Sequence, residues 1–177
     1  MFSPMRVTWN AVPSPVGTLL LVESSGEPVV IEFARKGRRM KWIDRLRQHH
    51  PEISIDQGTC PATSAWLDSY FAGAPLPALY PAHLDELLGP TAAERAVWRE
   101  LVRIPIGETR SYEAVAMATG LTARVVGQAS GANHLALLIP CHRVVGKDGS
   151  LVGYGGGLER KRWLLDHELR LTGLVLR

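Results

Sequence analysis

The chain opens on short alternations of apolar and polar positions. Val7, Trp9 and Ala11 share one side of a strand. Pro13-Ser14-Pro15-Val16-Gly17 reads as a turn, and Thr18 to Glu23 as a second strand. After a further turn at Ser25-Gly26-Glu27-Pro28, Val29 to Phe33 reads as a third. The pattern predicts a three-stranded antiparallel meander. The period then lengthens. Trp42, Ile43 and Leu46 recur at helical spacing within Arg39 to His50. Pro61 to Phe71 predicts a second helix, with proline at its start and Gly73 just past its end.

Between Ala74 and Pro90 the pattern breaks. Pro75, Pro77, Pro81, Gly89 and Pro90 mark a linker or a long crossing segment. A boundary here predicts an N-terminal α/β domain over 1–89, linker included, and a C-terminal domain over 90–177. The C-terminal part reads as mostly helical. Thr91-Ala92-Ala93-Glu94 is a capping box, followed by Val97, Trp98 and Leu101 on one face. Pro105 and Gly107 end that helix. Ser111 caps a next helix running to Gly120, and Thr122 caps another running to about Gly131. Two short helices about a glycine-containing turn resemble a helix-turn-helix, with Arg124 near the start of the second. Many helical hairpins bind nothing, so the pattern alone decides little. Leu135 to Ile139 is wholly apolar and too short for a helix, which predicts a buried strand or extended segment. A glycine-rich stretch, Gly146 to Gly157, precedes a final helix from Leu158 to Leu169. The fold class expected is α+β.

Composition narrows the partners. With 46% hydrophobic and 21% charged residues, the chain has enough apolar side chains for an ordinary core. No stretch approaches the roughly 18 apolar residues of a membrane span, and Met1 to Asn10 lack a signal pattern. No membrane association and a cytoplasmic location are expected. Cys60 and Cys141 are the two cysteines, and no metal-ligand spacing such as Cys-x2-Cys occurs, so no metal is expected. The net charge is +3, unevenly spread. Residues 1–89 carry 8 basic and 9 acidic side chains, whereas 90–177 carry 12 and 8. The basic excess lies in the second half, which fits a polyanionic partner only weakly. The run Arg35-Lys36-Gly37-Arg38-Arg39-Met40-Lys41 reads either as a solvated helix start or as a phosphate contact.

The candidate chemistry centres on Ile139-Pro140-Cys141-His142-Arg143-Val144. A thiol becomes a good nucleophile as thiolate. It needs a base, and the base needs an orienting group. His142 and Glu168 could supply these. Adjacent residues of an extended segment point to opposite sides, so a bridging water would relay the proton between Cys141 and His142. The residues alone leave open whether Cys141 is such a nucleophile or an inert core thiol, and a Cys-His-Glu thiol hydrolase would carry the same groups. Cys60 lacks such neighbours and reads as structural.

From Trp98 to Glu168 the chain resembles the O6-alkylguanine-DNA alkyltransferases, also called methylated-DNA–protein-cysteine methyltransferases. The likeness rests on Ile104-Pro105-Ile106-Gly107-Glu108-Thr109-Arg110-Ser111-Tyr112, Ala123-Arg124, Val126-Gly127, Asn133, the Pro-Cys-His-Arg-Val run, Gly153-Tyr154-Gly155-Gly156-Gly157-Leu158, Lys161 and Glu168. The N-terminal half resembles the family only through Ser14-Pro15-Val16-Gly17 and its strands. The resemblance implies a ribonuclease H-like N-terminal domain and a helix-turn-helix in the C-terminal one. It implies a monomer that binds double-stranded DNA containing O6-alkylguanine, with O4-alkylthymine as a second substrate, and that takes the alkyl group irreversibly onto Cys141 without a cofactor. In that reading His142 removes the thiol proton through a water, Glu168 orients His142, and Tyr112 assists departure of the base. Asn133 organises the turn before the cysteine. Arg124 enters the stack that the base leaves, while Ser111, Thr122, Ala123 and Gly127 approach the DNA. Val144, Tyr154 and Gly155 line the base pocket. Three departures stand out. Thr91-Ala92-Ala93-Glu94 stands where the family has Thr-x-Phe-Gln, so a bulky core anchor is missing. Gly120-Leu121-Thr122-Ala123-Arg124 is about two residues shorter than the family's turn and lacks its proline, and His134 follows Asn133 where the family has proline.

Overall fold

A computed structural model of the chain describes residues 5–34, 40–74, 76 and 78–173. It divides into two compact units, Met1–Leu76 with Pro81–Pro90, and Pro77–Tyr80 with Thr91–Arg177. Most of the basic run, residues 35–39, lies outside the described residues; Lys41 begins a helix.

The first unit is built on a sheet of β1 (Arg6–Val12), β2 (Leu19–Ser24), β3 (Glu27–Phe33) and β4 (Ser54–Gln57), in the order β3-β2-β1-β4. The antiparallel meander expected from the alternation is present: Trp9 faces Val22, and Leu21 faces Ile31. A fourth strand, β4, joins parallel to β1, with Val7 opposite Ile55. It was invisible in the pattern because it has four residues and none is buried. β2 is the central hydrophobic strand, with Leu19 through Glu23 all buried. The expected inner face of β1 is graded instead: Val7 is buried, Trp9 half-buried and Ala11 exposed. Helix α1 (Lys41–His49) buries Trp42 and Leu46, and α2 (Pro61–Phe71) buries Thr63, Leu67 and Tyr70. Glu23 is buried too, and its carboxylate accepts from Thr63 N at 2.6 Å at the start of α2. The proline-rich stretch is not structureless. It contains a helical turn, α3 (Leu84–Leu87), with Leu84, Leu87 and Leu88 buried, and Arg45 donates to the Leu88 carbonyl at 2.6 Å.

The second unit packs α4 (Ala92–Leu101), α5 (Tyr112–Thr119) and α6 (Ala123–Gly131) against one another. The capping box forms: Thr91 accepts from Glu94 N at 3.2 Å, and Glu94 accepts from Thr91 N at 2.8 Å. Trp98 is fully enclosed, and its indole N–H donates to the Ala129 carbonyl at 2.8 Å, tying α4 to the end of α6. Ser111 and Thr122 cap α5 and α6 as their positions predict. The short turn closes without a proline. Gly120 takes φ +68°, and Leu121 N donates to the Ala116 carbonyl at 3.0 Å. That pair of features is a Schellman ending, which glycine permits at no steric cost. Two short strands, β5 (Arg110–Ser111) and β6 (Val144–Val145), then pair in parallel, with Arg110 opposite Val144. This pairing brings the start of α5 beside the segment that carries Cys141. Helix α7 (Leu158–Leu171) closes the unit, burying Lys161, Leu164, His167 and Glu168.

The apolar run Leu135 to Ile139 corrects an expectation. It is buried, but it is neither a strand nor extended. Ile139 N donates to the Leu135 carbonyl at 2.9 Å, and Leu137 takes φ +74°. The backbone folds into a compact turn because Asn133 supplies bonds that a sheet would otherwise provide. Its Oδ1 accepts from Leu135 N at 2.9 Å, and its Nδ2 donates to the Ile139 carbonyl at 2.8 Å.

Candidate active site

Pro140 leads out of that turn into a single 3-10 turn, Cys141–Arg143. The segment at the cysteine is therefore coiled rather than extended. Cys141 and His142 still face different surroundings, since adjacent residues of a three-residue turn lie about a third of a revolution apart. Cys141 borders a cavity of about 400 Å3, and His142 is fully buried on the α7 side.

The cavity is walled on one side by Ala123, Gly127, Ser130 and Gly131 of α6. Their spacing of four, three and one places them on one helix face. Tyr112 lies at the start of α5, and Val152, Gly153, Tyr154 and Gly155 complete the lining. Such a volume is within the usual range for small-ligand sites, about 300–1,000 Å3. The small side chains on α6 leave it open: even a Cβ added at Gly127 would meet only the Tyr112 ring, at 3.9 Å. Tyr112 donates its hydroxyl to the Gly153 carbonyl at 2.9 Å. Burial raises the pKa of that hydroxyl, and Cys141 adds to the shift, so the proton stays on the oxygen.

Burial, Asn133 and Lys161 set the state of the thiol, and His142, Glu168 and Arg143 set that of its base. Burial pushes the Cys141 pKa up; Asn133, whose Nδ2 donates to Sγ at 3.3 Å, and the Lys161 ammonium oppose that without overcoming it. The resting thiol is thus protonated at neutral pH, and attack requires a base. Burial holds His142 below its ordinary pKa despite Glu168 beside it, so the imidazole is neutral and able to accept a proton. Its Nε2 is 2.7 Å from Glu168 Oε1. Burial alone would raise the Glu168 carboxyl, but His142 and Arg143 more than offset it and hold the group well below the usual carboxylate range. An ionised carboxylate only accepts, so Nε2 carries the hydrogen and Nδ1 the lone pair. Nδ1 is buried and has no hydrogen-bond partner among the described residues.

Arg143 and Lys161 carry more of the site than their places in the sequence suggested. Arg143 donates from Nε to Glu168 Oε2 at 2.8 Å and from Nη2 to Oε1 at 2.9 Å, a two-point clasp on the carboxylate that orients His142. Its Nη1 donates to the Ile104 carbonyl at 2.6 Å. Lys161 is fully enclosed, and its ammonium donates to the carbonyls of Val144 at 2.5 Å and Val152 at 2.7 Å. It also lies over the Tyr112 ring, 5.9 Å from the centroid. The available signal was spacing: Lys161, Leu164 and Glu168 lie three and four apart on one face of α7.

Of the residues singled out in the sequence, the structure brings Cys141, Asn133, Tyr112, Gly127, Ala123, Tyr154 and Gly155 together around one cavity or its floor, with His142 and Glu168 behind it. Val144 is fully buried and is not on the cavity wall; its carbonyl is taken by Lys161. Ser111 and Thr122 cap helices, and Arg124 is exposed on the first turn of α6. Cys60 is buried in the first unit, with Sγ 3.3 Å from the Thr8 carbonyl and a pKa pushed up to about 11, chiefly by burial. Among the described residues no cluster of His, Cys, Asp and Glu could hold a metal ion, and no helix is long and apolar enough to cross a membrane.

Comparisons with known proteins give the chain's family and fold relatives. Residues 92–170 match the family described as 6-O-methylguanine DNA methyltransferase, DNA binding domain. A methylated-DNA–protein-cysteine methyltransferase of Mycobacterium bovis is 44% identical over 92% of each chain. One from Salmonella typhimurium is 35% identical over 93% of this chain and 96% of its own. The crystal structure of the Mycobacterium tuberculosis O6-methylguanine methyltransferase superposes with a TM-score of 0.73 at 36% identity, covering 93% of each chain. The structure of Mycobacterium tuberculosis OGT in complex with DNA gives 0.72 at 34% identity, covering 94% of each. With relatives of this identity along nearly its whole length, the chain belongs to the methylated-DNA–protein-cysteine methyltransferase family.

Proposed function

We propose that this chain repairs DNA by moving the alkyl group of O6-alkylguanine onto its own Cys141, once per molecule. The observation that carries the reading is the thiol bordering an open cavity, touched by Asn133 and backed by the His142–Glu168–Arg143 chain. The target oxygen lies inside a duplex, so the base is flipped out into the cavity at a cost of about a few kcal/mol. Exposed Arg124 on α6 fills the gap in the stack and offsets part of that cost. Helices α5 and α6 act as a helix-turn-helix against the minor groove. Binding rests mainly on phosphates and is therefore salt-sensitive.

Transfer then moves one proton and one alkyl group. His142 Nδ1 accepts the Cys141 proton through a water, and Glu168 stabilises the imidazolium. Sulfur attacks the alkyl carbon, the carbon–oxygen bond breaks, and the electron pair stays on the base. The Tyr112 hydroxyl turns from the Gly153 carbonyl to the departing base and stabilises its charge. The product is a thioether, whose carbon–sulfur bond an imidazole, an amide or a phenol does not hydrolyse, so the protein is consumed.

The test is stoichiometric. Protein incubated with excess duplex DNA bearing O6-methylguanine gains the mass of one CH2 and then stops, and peptide mapping places it on Cys141. Continued turnover, or a methyl group elsewhere, overturns the reading. Tyr112→Phe slows transfer about 100-fold in single-turnover assays while leaving affinity for undamaged duplex unchanged.

A further inference from the structure

One polar atom of the cavity wall has no evident task. Ser130 borders the cavity from α6, yet its hydroxyl is buried and has no hydrogen-bond partner among the described residues. A serine inside a helix ordinarily returns its hydroxyl to the carbonyl three or four residues back. Thr119 does this on α5, donating to the Val115 carbonyl at 2.8 Å. Ser130 makes no such bond to Val126 or Gly127. An unsatisfied buried hydroxyl destabilises a fold, and alanine would pack there without that cost.

Its surroundings point to what it serves. The α6 face on the cavity is otherwise Ala123, Gly127 and Gly131, which present no polar side-chain atom. Across the cavity the Tyr112 hydroxyl is held by Gly153. Ser130 thus offers the sole side-chain hydrogen-bonding group on its wall. The residue borders the lumen, and χ1 is the one side-chain torsion that sets where its hydroxyl lies. Its helix end is fixed, because the carbonyl of the preceding residue, Ala129, accepts from the Trp98 indole.

We propose that Ser130 is a substrate-binding residue: its hydroxyl hydrogen-bonds the polar edge of the purine held in the cavity. The inference rests on the proposed alkylguanine reading and adds to it the group on the α6 wall that recognises the base. A hydroxyl both donates and accepts, so it fits a guanine edge, which offers both an amine and ring nitrogens. It acts on the base itself rather than on the DNA backbone.

Ser130→Ala tests this against wild type, with O6-methylguanine in duplex DNA and as the free base. The expected result is a rate of methyl uptake about tenfold lower on both substrates, unchanged affinity for undamaged duplex, and a Tm equal to or above that of wild type. Equal rates for the two proteins overturn the proposal, and so does a loss confined to the duplex, which would place the effect in DNA docking. If wild type itself takes up no methyl from the duplex, the alkyltransfer reading fails and this inference with it.

Discussion

Replacing Cys141 with serine ends alkyl uptake and leaves a protein that folds and binds damaged duplex. The exchange is nearly isosteric, and the Asn133 amide that donates to sulfur at 3.3 Å finds an oxygen in its place. Chemistry, not packing, is what changes. The wild-type thiol rests protonated because burial raises its pKa, but Asn133 and Lys161 oppose that shift, and neutral His142 stands ready to take the proton. A serine hydroxyl lies far higher on the same scale, and the same imidazole cannot draw its proton away. Oxygen is also the poorer nucleophile toward an alkyl carbon. The expected loss is on the order of 10⁴-fold or more, which intact-mass measurement reads as no methylated protein after long incubation. Because nothing consumes the variant, its complex with O6-methylguanine duplex persists, and a gel shift that outlasts that of wild type accompanies the missing mass. Methylated product from the variant would remove Cys141 from its assigned role.

The parts legible in the sequence were those set by local rules. Thr91, Ser111 and Thr122 announce helix starts because a side-chain oxygen must meet an unsatisfied N–H within three residues. Gly120 announces a helix end because its φ is one that other residues avoid. Cys141 with His142, and the ordered residues from Tyr112 to Glu168, were readable only through a family resemblance, since the chain's own chemistry left an inert thiol equally open. What stayed hidden depends on contacts far apart in the chain. β4 is half exposed and exists because β1 offers it an edge. The turn at Leu135 to Ile139 looks like a strand by composition, yet one asparagine side chain bonds at both of its ends. Arg143 meets Glu168 across 25 positions. Ser130 is conspicuous only once its missing bond can be seen.

Glu168→Ala is expected to cost about 3–5 kcal/mol of stability and to abolish useful transfer, because it strips the partner from a buried cation. Arg143 would keep its bond to the Ile104 carbonyl but lose both contacts to carboxylate while remaining buried. His142 would lose the acceptor that fixes Nε2 as the protonated nitrogen, so Nδ1 would no longer be held as the base. At about 2–4 °C per kcal/mol for a chain of this size, thermal melting should fall by roughly 6–20 °C. Glu168→Gln keeps the shape and one acceptor, and should melt between the two while still transferring slowly. The same group gives the wild type a pH signature. Glu168 has a folded pKa below its unfolded value, so its contribution is present above the ordinary carboxylate range and is lost as pH falls through that range and below. His142 is also lowered on folding, so the unfolded chain binds the extra proton first, and stability begins to decline as pH drops below about 6.5, the ordinary histidine value. Both effects have the same sign. Urea midpoints measured from pH 8 down to 3 should therefore stay level above about pH 6.5 and decline below it, and within the carboxylate range they should fall more steeply for wild type than for Glu168→Ala. Parallel curves for the two proteins would mean that the buried Glu168 carboxylate does not govern the acid limb.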